Sequence, residues 1–129
     1  MRFVRPKNIG VVNGRLQPCS WKPNCVCSFD TDTGHGIAPL TFTGAWEAAR
    51  ERLLKVIGSQ PRTRLVADEG PYLRIECTSL IMRFVDDLEF LFDPARSVIH
   101  VRSASRVGRS DLGVNRHRVE GIRQLFARG

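Results

Sequence analysis

At 129 residues, with 42% hydrophobic and 26% charged side chains, the chain has the length and composition of one globular domain. It has neither the polarity of a disordered chain nor any apolar window long enough to span a bilayer. Its net charge of +7 is unevenly placed: residues 1–64 carry ten basic against four acidic side chains, 65–95 two against seven, and 96–129 eight against two.

A basic chain with an acidic middle suits solubility and internal ion pairing, or the attraction of nucleic acid, anionic lipid or a small anion. The absence of a lysine-rich run and the low aromatic content give no clear nucleic-acid signal, although the two basic ends leave a basic nucleic-acid-binding protein as an alternative. No targeting segment stands out, so the sequence as written reads as soluble and cytoplasmic.

Residues 1–40 are punctuated by Pro6, Pro18, Pro23 and Pro39 and by Gly10, Gly14, Gly34 and Gly36, and carry no periodicity. They read as an irregular arm packed on a core of residues 41–129 and pinned by Trp21, Val26 and Phe29. Three of the four cysteines lie in the arm, and they admit three readings. Cys19, Cys25, Cys27 and His35 form a legitimate zinc ligand set, but their spacing departs from paired C-x2-C knuckles. A Cys19–Cys25 disulfide would close a short loop and persist in an oxidising compartment. In a reducing compartment the thiols pack as small apolar side chains, as Cys77 does inside a strand.

Thr43 is positioned to cap a helix over 44–57, where Trp46, Ala49, Leu53 and Ile57 recur at helical spacing. Gly58 and Pro61 end it. Leu65 starts an apolar run, Asp68-Glu69-Gly70-Pro71 forms a turn, and Leu73, Ile75 and Cys77 alternate with polar residues. Strands over 84–92 and 98–105 follow, joined at Asp93-Pro94. A last helix starts between Asp111 and Asn115, with Asn115, Val119, Ile122 and Phe126 on one face. The expected fold is α+β: a four-stranded antiparallel meander with both helices on one face, preceded by the arm.

Strand alternation separates Asp86 from Asp87. Asp86 shares a face with Phe84, Leu88, Phe90 and Phe92, which points to the core; Asp87 and Glu89 read as a solvated acidic face. If Phe92 opposes Val98, Asp86 lies diagonal to Arg102 and Arg106 and is held between two guanidiniums. From Arg102 to Arg116 the chain then runs strand, Gly- and Ser-bearing loop and helix N-terminus, a way of presenting N–H groups to an anion. The candidate ligand-binding residues are therefore Asp86, Arg102, Ser105, Arg106, Ser110, Asp111, Asn115 and Arg116.

The P-loop pattern and a nucleophile elbow are both absent. The leading functional reading is a non-enzymatic binding or accessory domain for a small anionic ligand or acidic partner, with no cofactor. The catalytic alternative is a hydrolase or transferase using Asp86 or Asp87 with Arg102 and His35.

FVDDLEF at 84–90 and VIHVRSASRVGRSDLGVNRHRVEGIR at 98–123 resemble the family catalogued as domain of unknown function 1499. Cys19 followed by Pro23-Asn24-Cys25-Val26, and His35-x-Ile37-x-Pro39, support the resemblance. It runs from about Cys19 to Phe126 and implies no activity. Related sequences usually carry Ser at the position of Cys27, which argues against a three-thiolate zinc site. Many relatives look exported or membrane-attached, which sets the resemblance against a cytoplasmic location.

Overall fold

Period-two alternation through the second half of the chain builds a sheet whose two faces carry different chemistry. The computed structural model describes residues 6–108 and 111–129. Among them β1 (Val11–Val12) and β2 (Arg15–Leu16) form a small ribbon. The main sheet uses β3 (Cys25–Cys27), β4 (Leu40–Thr41), β5 (Thr63–Glu69), β6 (Tyr72–Thr78), β7 (Val85–Asp93) and β8 (Val98–Ser105). Two helices, α1 (Trp46–Gly58) and α2 (Val114–Arg128), complete the fold. The strand order is β3-β8-β7-β6-β5, with β4 also paired to β8 and every strand pair antiparallel.

The expected meander is therefore β5 to β8, enlarged to six strands. Arm residues supply β3 and β4, which cover the free edge of β8 and remove it as a template for other chains. Gly36 helps to fix this edge. It bridges Cys27, and a Cβ there would stand 2.8 Å from the Asp32 carbonyl oxygen, so only glycine fits.

One face of the sheet is apolar and carries both helices. Leu73, Ile75 and Cys77 of β6, Leu88, Phe90 and Phe92 of β7, and Ile99 and Val101 of β8 pack with Ala49, Leu53 and Ile57 of α1 and Val119, Ile122 and Phe126 of α2. Burying these side chains is worth about 1.5–3 kcal/mol for each of the larger ones and supplies the main driving force for folding. The helix faces agree with the sequence spacing, but α1 starts at Trp46 with Ala45 as its N-cap, later than a Thr43 cap implies. Trp46 itself is only partly buried, tilted against Phe92 with ring centroids 5.8 Å apart.

The arm covers the other face. Leu16, Cys27 and Tyr72 are buried there with Cys19, Phe29, Ala67 and Leu91 packed against them. Phe29 stacks on His100, with ring centroids 3.8 Å apart. Trp21, expected to pin the arm, is instead 68% exposed.

Candidate functional site

The register of β7 against β8 decides where every polar side chain points. Phe92 opposes Ile99 and Asp86 opposes Ser105, one residue away from the expected pairing of Phe92 with Val98. Asp93 pairs with Val98, so the connection is the four residues 94–97, and Ser97 turns it with φ 55°. Since side chains alternate faces, this one-residue difference moves Arg102 and Arg106 to the face opposite Asp86. Asp86 is not held between them.

Asp86 lies on the helix-bearing face, where Arg118 of α2 donates to it at 2.8 Å. Burial raises its carboxyl above the usual range, against the pull of Arg118 and of the Ser105 hydroxyl. Asn115 is fully buried beside this pair. Its Oδ1 accepts from Ser103 Oγ at 2.6 Å and Arg118 Nη1 at 2.7 Å. Its Nδ2 donates to the Asn24 carbonyl, Ser105 Oγ and Asp111 Oδ2. Asn115 thus ties α2 to β8 and β3.

The N-terminus of α2 is not open to an anion, because the Asp111 carboxylate already accepts from Gly113 N at 2.9 Å and Asn115 N at 3.0 Å. Burial opposes ionisation of Asp111, but these donors outweigh it and hold its carboxyl below the ordinary value. Arg116 points away, reaching the carbonyls of Thr33 and Gly34. Ser110 lies outside the described residues.

The arm-covered face holds what the sequence reading missed. Asp87 and Glu89 are not solvated: they are 1% and 0% exposed. Strand pairing sets Arg102 beside Glu89 and Glu89 beside Arg74 in one row, and Asp87 beside Glu76 in the next. Two carboxylates facing each other repel unless bridged. Arg106 does this, with Nε and Nη2 at 2.8 and 2.9 Å from Asp87 and Nη2 at 2.8 Å from Glu76. Arg74 Nη1 adds contacts at 3.1 Å to Asp87 and 3.4 Å to Glu76.

Burial alone would raise the Glu76 carboxyl, but Arg106 and Arg74 together hold it below its ordinary value. Glu89 Oε2 accepts from Tyr72 OH at 2.6 Å and from Gly10 N at 2.8 Å, so the arm is tied to the network. Burial, then the adjacent Glu89, pushes the Tyr72 hydroxyl pKa up, and it remains a donor.

All three carboxylates of this network are well supplied with donors. Arg102 is not well supplied with acceptors. Its guanidinium has five N–H donors, yet among the described residues it makes one side-chain hydrogen bond, Nη1 to Glu89 Oε1 at 3.4 Å. Its Nε is buried with no partner among the described residues, and the side chain is only 2% exposed. Among the described residues the Nε of Arg52 is the one other such atom, and that guanidinium lies over the Phe126 ring at 4.6 Å.

Arg102 lines a polar cavity of about 160 Å³ shared with Ser20, Lys22, Asn24 and Arg106. At about 30 Å³ per water it has room for roughly five waters, enough for a small oxyanion. The three arginines and three carboxylates balance, so Lys22 makes the charge around the cavity positive.

The Cys19–Cys25 disulfide closes the loop that carries Ser20, Lys22 and Asn24, with Cα atoms 5.7 Å apart. This removes two of the four weak metal-ligand candidates. Cys27 is buried, its thiol pKa raised mainly by burial, and among the described residues no group of three or more His, Cys, Asp or Glu could hold a metal ion. Burial likewise pushes the Cys77 thiol up to about 11, consistent with a core position. Removing the bridge in the Cys19→Ser, Cys25→Ser double variant is expected to cost about 2 kcal/mol of stability, measurable by urea unfolding.

His35 does not join Asp86 or Arg102. Its Nε2 meets the Lys22 carbonyl at 2.9 Å and its Nδ1 meets Asp32 Oδ2 at 2.8 Å. Both contacts are donated only by the imidazolium, so the Lys22 carbonyl and Asp32 raise its pKa above 6.5. A raised folded value makes this contribution to arm stability complete below the unfolded value and lost as pH rises through the folded one. The stability difference between the native chain and His35→Gln is therefore expected to be largest in acid and to shrink above neutrality. Asp86 faces the side of the sheet opposite Asp87 and Arg102, which line one cavity, and His35 is not among the described residues lining that cavity.

A six-stranded antiparallel sheet with two helices on one face and a buried ionic network under an arm defines an α+β domain with a polar cavity at the arm–sheet junction. The chain belongs to the family described as Protein of unknown function (DUF1499), whose sequence model matches residues 15–126. Searches of curated proteins and of solved structures give no match. Among the described residues no helix is long and apolar enough to cross a membrane.

Proposed function

We propose that this domain is a binding module for a small oxyanion or anionic metabolite group, taken up in the cavity against Arg102. The observation that carries this reading is Arg102, whose buried Nε has no partner among the described residues and whose side chain lines a cavity together with Lys22. Buried polar groups are nearly always satisfied, and an arginine fork matches the geometry of phosphate, sulfate or carboxylate. The neighbouring network supports this role by holding Arg102 in place through Glu89, which Tyr72 and Gly10 anchor in turn.

Of the residues first considered, Arg102, Arg106 and Ser105 line this cavity. Asn115 and Asp111 support it from behind through Asn24, whose carbonyl accepts from Asn115. The Cys19–Cys25 bridge favours work in an oxidising compartment over the cytoplasm suggested by the sequence.

Thermal unfolding in phosphate or sulfate, against sodium chloride of equal ionic strength, tests the proposal. At tenfold excess over Kd the stabilisation is about 1.4 kcal/mol, a Tm rise of roughly 4–5 °C for a domain of this size. Lys22→Ala, a change at the cavity rim, is expected to reduce the rise without lowering the starting Tm. No rise with phosphate, sulfate or a simple carboxylate beyond the chloride control would overturn the proposal.

A further inference from the structure

Away from the Arg102 cavity, the connection between β6 and β7 exposes side chains that loops rarely expose. Residues 79–84 read Ser-Leu-Ile-Met-Arg-Phe. Leu80, Ile81 and Met82 are 66%, 84% and 60% exposed, and Phe84 is 41% exposed. Three consecutive exposed apolar residues at a turn are a cost to solubility unless something covers them.

The turn is held rather than slack. Ser79 N donates to the Phe84 carbonyl and Phe84 N to Ser79 Oγ, both at 2.9 Å, and Arg83 adopts φ 57° to close it. The base of the tip is therefore closed, and its apolar side chains project together from one short turn.

Its surroundings are basic. Arg62, Arg64 and Arg83 ring a depression on one side of the tip; among the described residues the one carboxylate lining it is Glu76, which Arg106 and Arg74 bridge and Arg64 approaches at 3.8 Å while the Arg64 side chain stays largely exposed. On the other side an open groove of about 550 Å³ runs past Leu80 and Val114 to His117 and Arg118, with no carboxylate among the described residues that line it.

From this combination we infer that the β6–β7 tip is a docking site for an anionic lipid surface. Leu80, Ile81 and Met82 enter the boundary between headgroups and acyl chains, while Arg62, Arg64 and Arg83 meet lipid phosphates and carboxylates. An apolar tip flanked by cations is what such an interface selects, because apolar burial and attraction to negative headgroups act on the same few ångströms of surface. A second copy of the chain is a poorer occupant, since tip-to-tip pairing sets these arginines against one another in molecules that each carry +7.

Co-sedimentation of the full chain with vesicles of phosphatidylcholine, with and without phosphatidylserine, tests the inference. Partitioning is expected to rise about tenfold with phosphatidylserine and to fall as salt is raised. Ile81→Asp and Met82→Asp change exposed side chains and are expected to keep the native Tm while each lowering partitioning about tenfold. Arg83→Glu is expected to abolish the preference for phosphatidylserine.

Lys22→Ala, at the oxyanion cavity, is expected to leave vesicle binding unchanged, so the two proposals stand or fall separately. Failure to pellet with phosphatidylserine vesicles would overturn the inference, as would equal binding to neutral vesicles or binding indifferent to Ile81→Asp. A dimer in sedimentation velocity that Ile81→Asp dissolves would assign the tip to self-association instead.

Discussion

Replacing Asn115 with alanine is expected to lower stability by about 3–5 kcal/mol, seen as a fall in Tm of roughly 10–20 °C. The carboxamide is fully buried and meets five partners: Ser103, Arg118, the Asn24 carbonyl, Ser105 and Asp111. Truncation removes five hydrogen bonds at once from a fully buried group, each worth about 0.5–1.5 kcal/mol net and partly recovered by relaxation. Asn115→Asp separates hydrogen bonding from size. It keeps the shape but removes the donor to Asp111 and sets two carboxylates together. Its penalty is expected to be large at neutral pH and to ease in acid, because repulsion raises the folded pKa of the new carboxyl and protonation restores a donor. A cost of less than about 1 kcal/mol for Asn115→Ala would remove this residue from its place as the tie between α2 and the sheet.

Asp87→Ala is expected to cost a comparable amount, about 3–5 kcal/mol, because it breaks a buried ion pair from one side. Arg106 and Arg74 both lean on this carboxylate, and both also reach Glu76. Arg106→Ala alone leaves Arg74 as the remaining bridge between Asp87 and Glu76. Urea unfolding of the two single variants and the double variant gives the coupling. It is expected at the upper end of the range of about 0.5–3 kcal/mol seen for residues in contact. Additive effects would mean that the network contributes packing volume rather than charge pairing.

Much of this fold was legible in the residues. The buried face of α2, Asn115-Val119-Ile122-Phe126, follows from spacing alone, as does the choice of Leu88, Phe90 and Phe92 for the helix-bearing side of β7. The split of Asp86 from Asp87 follows from the pleat. Two physical facts hid the rest. Turn length sets the register of a hairpin, and the sequence around Asp93-Pro94 allows either a four- or a five-residue connection; the difference turned Arg102 and Arg106 to the other face. The burial of Asp87 and Glu89 depends on an arm without periodicity, whose cover over the sheet is a tertiary fact.

One signal was present and unused. Arg74 and Glu76 alternate on β6 as Asp87 and Glu89 do on β7, and two strands charged at the same period are candidates for pairing.

The site inherits the same limits. Arg102 and Arg106 stand out in any reading of the strand exit, yet the cavity they line is completed by Ser20, Lys22 and Asn24 from a loop closed by the Cys19–Cys25 bridge. Those residues lie roughly eighty positions away in the chain, and only the pairing of β3 with β8 brings them across.

The central claim is that Arg102 holds an anion, and a crystal structure of the protein grown in selenate tests it most directly, since anomalous scattering locates the selenium. The expected result is an ion in the cavity within hydrogen-bonding distance of the Arg102 guanidinium and near Lys22, lost in a Lys22→Ala, Arg102→Met variant. Selenate found only at lattice contacts, with Arg102 turned fully onto Glu89, would contradict it.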